Sequence, residues 1–173
     1  MIDLDKYGLG YLKMKPVNTW TDDDFTKLFD SFVSDNSAPI VDISFNNQNI
    51  EALLALSHCR QCGNCCKTSA IDGNNPSIIA GQEELKAIAK KTNTTYEQLS
   101  AKLVKHPMKK DALCISLPCM FYADGQCQIY DVSPKVCNTY PLTGVMNEDV
   151  SYVAINLGCD YGRDIYKWLL KGA

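Results

Sequence analysis

The chain has 173 residues, 46% of them hydrophobic, and a formal net charge of −3 at pH 7. This length is sufficient for one domain with its own core, so the chain does not need a metal merely to reach a stable size. The acidic balance argues against a nucleic-acid partner, and no stretch approaches the roughly 20 apolar residues of a membrane span.

The first 58 residues have the periodicity of a helix, a strand and a second helix. Thr21 followed by Asp24 is typical of a helix N-terminus with an acid in the first turn. Apolar side chains then recur at helical spacing, at Phe25, Leu28, Phe29 and Phe32. Residues 40–45 alternate as a short strand does, and residues 49–57 can form another helix. We interpret residues 1–58 as a helix and strand extension packed on the core.

Two further helices are predicted in the middle of the chain. Residues 81–91 place an apolar face along one helix, at Leu85, Ile88 and Ala89. Thr94-Thr-Tyr-Glu97 then predicts a capping box that starts a second helix, which Pro107 ends. The apolar residues of this second helix are Leu99, Leu103 and Val104. The acids Glu83, Glu84 and Glu97 are expected to face solvent.

The nine cysteines carry most of the functional information. Four of them lie in the run Cys59-Arg-Gln-Cys62-Gly-Asn-Cys65-Cys66. The N-terminus lacks an apolar run of signal-peptide length, so we expect a protein of the reducing cytoplasm, where disulfides are disfavoured. An odd total and two adjacent cysteines also argue against a disulfide framework. Closely spaced thiolates can wrap a soft metal centre, so the run predicts a metal or iron–sulfur site.

The other five cysteines follow at Cys114, Cys119, Cys127, Cys137 and Cys159. Asp124-Gly125 between apolar residues predicts a β-hairpin that brings Cys119 and Cys127 close together. Ser133-Pro134 opens a turn or short helix that ends at Cys137. Residues 151–155 predict a strand, and Cys159 is expected near the N-terminus of a C-terminal helix.

These cysteines and their neighbours resemble a known family. The matching elements are Cys59-x-x-Cys62-x-x-Cys65-Cys66, Cys119-Met-Phe-Tyr, Cys127-Gln-Ile-Tyr130 and Pro134-Lys-Val-Cys137-Asn-Thr-Tyr140-Pro141. In this order they resemble the CxxCxxCC family of zinc- or iron-chelating domains, over residues 59 to about 141, and Cys159 is similar to a trailing cysteine of that family. Ser133 and Asn138 depart from the pattern, which has arginine at both positions, so any anion contact made there by relatives is in doubt.

The predicted elements and the resemblance together indicate an α+β fold. We expect a mainly helical small single domain with a short β-hairpin and cysteine-rich metal-binding loops. Within it, residues 59–173 form the cysteine-cluster metal-binding domain, which follows the extension of residues 1–58.

Eight cysteines are the candidate ligands, namely Cys59, Cys62, Cys65, Cys66, Cys119, Cys127, Cys137 and Cys159. The overlapping CxxCxxC spacing favours a [4Fe–4S] cluster, because ferredoxins wrap three corners of a cluster this way, while zinc stays an alternative because it also accepts four thiolates. Since adjacent side chains diverge, Cys66 is expected to point away from Cys65 and to serve a second centre or none. The eight divide into two sets of four, leaving Cys114 as a buried apolar residue or an alternative ligand.

Three functions are compatible with such a site. The first is a metal-binding protein, most simply an iron–sulfur protein that transfers electrons or holds metal, with a redox or metal-transfer protein as partner. The second is a cluster-dependent enzyme for methyl transfer or redox chemistry, since one branch that resembles this domain methylates lysines on flagellin. The third is a structural zinc module that docks onto a partner. The sequence lacks a phosphate-binding loop and a nucleophile with an evident base, which favours the first function.

Overall fold

The computed structural model describes residues 3–67, 77–106, 112–147 and 150–172. In chain order, the helices in these ranges are α1 (Asp22–Ser34), α2 (Asn47–Leu54), α3 (Asn64–Lys67), α4 (Gln82–Lys91), α5 (Tyr96–Ser100), α6 (Lys135–Thr139) and α7 (Asp160–Leu170). The strands are β1 (Ile40–Ser44), β2 (Ser77–Ala80), β3 (Val104–Lys105), β4 (Leu113–Ser116), β5 (Tyr122–Ala123), β6 (Gln126–Cys127), β7 (Leu142–Asn147) and β8 (Val150–Ile155). The predicted α+β class is confirmed. Within the described ranges, every helix is too short or too polar to cross a membrane.

The chain forms two compact units. The terminal unit combines Met1–Arg60 with Pro141–Ala173, and the central unit is Gln61–Tyr140. The two ends of the chain join in the terminal unit because β1 pairs with β8. The predicted division at residue 58 follows chain order instead, and as a division into folding domains it stays a prediction.

Helix α1 of the terminal unit begins where the sequence predicts. The Thr21 hydroxyl oxygen accepts a hydrogen bond from the Asp24 amide at 3.2 Å, and the Asp24 carboxylate accepts one from the Thr21 amide at 2.9 Å. These two bonds satisfy amide groups that have no partner inside the helix. The predicted apolar face is buried, at Phe25, Leu28, Phe29 and Phe32. It shares one hydrophobic core with Ile165 and Tyr166 of α7.

The sheet of the terminal unit has the strand order β1-β8-β7, with antiparallel pairing throughout. Strand β1 lies within the predicted range, and β8 begins one residue before the strand predicted at 151–155. Strand β7 was not predicted. Helix α2 begins at Asn47, two residues earlier than predicted, because the Asn46 side chain caps it by accepting from the Asn49 amide at 2.9 Å. The central strand β8 is the most buried, with Val153 and Ile155 fully enclosed.

The central unit combines a second sheet, of order β2-β4-β3, with helices α4 and α5. Its apolar core includes the predicted face of α4, at Leu85, Ile88 and Ala89. The same core contains Ile115 of β4, together with Phe121 and Ile129 from the second cysteine group. The second cysteine group is therefore anchored by apolar side chains as well as by its own turns.

Helix α5 differs from the prediction at both ends. Its N-cap is Thr95 and not Thr94, because Gln98 rather than Glu97 is the reciprocal partner of the capping box. The helix ends at Ser100, and Val104 lies in β3, opposite Cys114 of β4. Pairing with β4 thus overrides the helical spacing of the apolar residues. The predicted helix terminator, Pro107, lies outside the described residues.

Strands β5 and β6 form the predicted hairpin. Tyr122 pairs with Cys127, and Ala123 pairs with Gln126. Asp124 and Gly125 have φ angles of 51° and 78°, the left-handed values that a two-residue type I′ turn requires. The hairpin therefore returns Cys127 towards the residues that precede Tyr122.

Candidate metal centre

The loop between Cys62 and Cys65 is shaped by Gly63. Its φ angle is +75°, a value that glycine adopts without the strain of a Cβ atom. The ring of Tyr122 fills the space beside it, since a Cβ built at position 63 would lie 2.0 Å from the ring atom Cζ. The Tyr122 hydroxyl donates a hydrogen bond to the Cys62 carbonyl at 3.2 Å. Glycine at this position allows the hairpin to close over the first cysteine run.

A backbone hydrogen bond joins the first cysteine run to the second cysteine group. The Cys119 amide donates to the Cys66 carbonyl at 2.7 Å, and the Tyr122 amide donates to the Cys119 carbonyl at 3.0 Å. Cys119 is buried in the central core, and Cys66 and Cys127 pack against that core from partly exposed positions. Thiols far apart in sequence are thus brought to one region of the central unit.

The adjacent thiols of Cys65 and Cys66 are hydrogen-bonded to each other. This bond is the largest cause that raises the pKa of Cys65 and the largest cause that lowers the pKa of Cys66. The prediction that the two side chains diverge is therefore wrong. Divergence onto opposite faces belongs to extended backbone, whereas these residues lie in the helical turn α3, where successive side chains are about 100° apart. The assignment of Cys66 to a second centre or to none stays a prediction.

Five thiols of the central unit interact electrostatically with one another. They are Cys65, Cys66, Cys119, Cys127 and Cys137, which we call the five-thiol group. Burial is the main cause that raises the pKa of Cys119, and burial followed by the neighbouring thiols raises the pKa of Cys137 to about 12. A thiolate in such a group disfavours deprotonation of the neighbouring thiols, because like charges repel. A bound cation would offset this repulsion.

Two other cysteines belong to the central unit. Cys62 is exposed, in the loop that Tyr122 covers. Cys114 is buried in β4, where it pairs with Ile79 of β2 and with Val104 of β3. Its position fits the predicted role of a buried apolar residue.

The remaining two predicted ligands, Cys59 and Cys159, belong to the terminal unit. Cys59 is exposed, and Cys159 is the residue that precedes α7, as predicted. Arg60 forms ion pairs at 2.9 Å with both Asp160 and Asp164 of α7. The first ion pair thereby holds Arg60, which follows Cys59, against Asp160, which follows Cys159.

The turn that carries Cys137 is closed by two polar side chains. The Ser133 hydroxyl donates to the Asn138 amide oxygen at 2.7 Å, and the Asn138 amide nitrogen donates to the Ser133 carbonyl at 3.2 Å. These are the two positions at which the resemblance implies arginines in the family. Here the two short polar side chains form one hydrogen-bonded pair.

Glu84 also contributes to this turn, which the sequence analysis missed. Its carboxylate accepts hydrogen bonds from the Gly81 amide at 2.7 Å and from the Lys135 amide at 2.6 Å. Glu84 is thus partly buried and does not simply face solvent, unlike Glu83, which pairs with Lys86 on the surface. The bond to Gly81 could be anticipated because Glu84 is the third residue of a helix. Nothing in the sequence indicates the bond to Lys135.

The sequence of the chain matches the model of one protein family. The model of the CxxCxxCC family, described as "Putative zinc- or iron-chelating domain", matches residues 58–160. The chain belongs to this family. Membership supports cysteine-ligated binding of zinc or iron and agrees with the resemblance found in the sequence. No solved structure matches the chain.

The donor set of this CxxCxxCC protein fits the metals that the family description names. Thiolates are the ligands that zinc and iron–sulfur clusters prefer, and the central unit brings five thiols within electrostatic range of one another. Among the residues that the structure describes, however, no three His, Cys, Asp or Glu side chains meet at the spacing of a single metal ion.

Proposed function

We propose that the protein binds a [4Fe–4S] cluster through the five-thiol group and transfers electrons in the reducing cytoplasm. The observation that carries the proposal is the gathering of these five thiols in one region of the central unit. They influence one another electrostatically, and the family of the chain is described as zinc- or iron-chelating. A group of five mutually interacting thiols supports a thiolate-bound polynuclear centre.

A zinc ion and an iron–sulfur cluster differ in the distances between their thiolate ligands. Four thiolates around one zinc ion, with zinc–sulfur bonds of about 2.3 Å, lie only about 3.8 Å apart. An iron–sulfur cluster places its own iron and sulfide atoms between the thiolates, so its ligands stand further apart. A cluster needs four thiolates, and the group supplies five. Cys59, Cys62 and Cys159 remain predicted ligands in addition to the group.

Partial exposure of the thiols favours electron transfer over simple metal storage. Cys66, Cys127 and Cys137 are neither fully buried nor fully exposed, so a cluster bound to them would lie near the protein surface. Electron exchange with a protein partner requires such proximity, and solvent exposure also tunes the reduction potential of a cluster. We propose a redox protein as the partner, and metal transfer is the competing role.

Elemental analysis of anaerobically purified full-length protein tests the cluster. We expect iron and acid-labile sulfide in equal amounts, about four of each for one cluster, and visible absorption that dithionite bleaches reversibly. Bound zinc in stoichiometric amount, with neither iron nor sulfide, contradicts the cluster. Absorption that dithionite does not change contradicts electron transfer and favours metal holding.

Serine variants assign the ligands. Cys119→Ser, Cys127→Ser and Cys137→Ser should each lower the iron content, because a neutral hydroxyl is a poor ligand for a soft centre. Cys114→Ala is the matched control, since Cys114 lies in β4 outside the five-thiol group, and it should retain iron. Iron loss confined to the control, or absent from all three serine variants, contradicts the ligand assignment.

A further inference from the structure

We infer that Glu84 is a positioning residue for Cys137. The carboxylate holds the short helix α6, which carries Cys137, against the N-terminus of α4. The inference deepens the proposed function, because it rests on Cys137 as a cluster ligand, but the placement of Cys137 can be measured separately from metal binding.

Both carboxylate oxygens of Glu84 are committed to backbone groups of different elements. One oxygen accepts from the amide of Gly81, which precedes α4, and the other accepts from the amide of Lys135, the first residue of α6. The first amide groups of a helix have no partner inside it, so the carboxylate satisfies a donor that α6 cannot satisfy itself. Hydrogen bonds to a charged acceptor are among the stronger ones in proteins.

Helix α6 needs this external support. It has five residues, and a helix of that length is unstable on its own because too few internal hydrogen bonds offset the entropy lost in fixing its residues. Inside it, the Cys137 amide donates to the Pro134 carbonyl at 2.8 Å. The Glu84 carboxylate also lies close enough to Cys137 to act on its thiol electrostatically. Fixing Lys135 therefore fixes the position of Cys137, two residues later.

A second contact at the other end of α4 provides a comparison. Lys91 forms an ion pair with Asp131 at 2.8 Å, and both side chains are largely exposed, at 43% and 61%. An exposed ion pair of this kind contributes little. Helix α4 thus contacts the segment before Cys137 at two points. The Glu84 contact is the stronger of the two because its partner is the backbone amide of Lys135, which belongs to the same short helix as Cys137.

Site-resolved alkylation of the full-length protein tests the inference. Reduced protein is exposed to iodoacetamide, and labelling of each cysteine is followed by peptide mass spectrometry, with metal retained and after chelation. In Glu84→Ala, we expect Cys137 to be labelled about tenfold faster after chelation, since two charge-assisted hydrogen bonds are lost. Glu84→Gln should be intermediate, because its amide nitrogen, a donor, replaces one of the two oxygens that accept these bonds. Glu83→Ala is the matched control and should label like the native protein.

Cys114 is the internal reference for unfolding, since it is buried in β4 at 3% exposure. If labelling of Cys114 rises as much as that of Cys137, Glu84 stabilises the whole central unit and the inference is overturned. Unchanged labelling of Cys137 in Glu84→Ala overturns it as well. Faster labelling of Cys137 after chelation, with metal retention equal to that of the native protein, supports the positioning role and contradicts Cys137 as a ligand.

Discussion

Replacing Gly63 with alanine should destabilise the central unit through two separable effects. The first is backbone strain, because Gly63 has a φ angle of +75°, and an L-residue in the left-handed region costs roughly 1–2 kcal/mol. The second is steric, since the new Cβ would lie 2.0–2.3 Å from three atoms of the Tyr122 side chain. The aromatic ring cannot stay in place beside an alanine.

The cost of moving Tyr122 follows from its contacts. Its hydroxyl would lose the hydrogen bond to the Cys62 carbonyl, worth about 1 kcal/mol. Its ring would lose the Lys67 ammonium, which lies 5.5 Å from the ring centre, a contact worth about 0.5 kcal/mol at an exposed site. With backbone strain included, Gly63→Ala should cost about 3 kcal/mol. In a Tyr122→Ala background only the strain of roughly 1–2 kcal/mol should remain.

Hydrogen exchange of the β4 amides, Leu113–Ser116, reports the opening of the central unit. Gly63→Ala should accelerate this exchange about a hundredfold, and the same change in a Tyr122→Ala background about tenfold. Gly125→Ala is the matched control, since Gly125 has a φ angle of +78° with open space around its Cβ position, and it should show the backbone strain alone. If Gly63→Ala lowers the free energy of opening equally in the native and the Tyr122→Ala backgrounds, the steric effect of Tyr122 is refuted. It is also refuted if Gly63→Ala lowers this free energy no more than Gly125→Ala does.

Two further predictions concern pH and metal. Hydrogen bonding, first from the Thr21 amide, lowers the pKa of Asp24 to about 2 from its ordinary 3.8, so its contribution to the stability of the terminal unit is complete above pH 3.8 and is lost as the pH falls towards 2. Asp24→Asn should therefore flatten the dependence of the free energy of unfolding on pH in this window. Unfolding is measured by Trp20 fluorescence in a Trp168→Phe background. Equal slopes of this free energy against pH, with and without Asp24→Asn, contradict the prediction. Removal of metal by a chelator should accelerate hydrogen exchange at residues 119–137 more than in α1, because metal–thiolate bonds would close long loops there. Equal acceleration of exchange at residues 119–137 and in α1 contradicts the expected dependence of the cysteine segments on bound metal.

Several local elements were predictable because their signals lie within a few residues. The bonds between Thr21 and Asp24 that start α1 span a single helical turn, and Asp124-Gly125 supplies both left-handed residues of the hairpin turn. The spacing of apolar residues likewise predicted the buried faces of α1 and α4. The closely spaced cysteines also indicated metal binding, because that chemistry depends on residue type and on short separations.

The tertiary structure decided how distant residues combine. Pairing of β1 with β8 brings the two ends of the chain into one unit, and α5 ends early because Val104 pairs with β4 instead. The bond from the Lys135 amide to Glu84 spans 51 residues and leaves no sequence pattern. Such contacts form only where packing of the apolar core brings two segments together, so the sequence indicated metal binding by cysteines and the fold determined which thiols lie in one region.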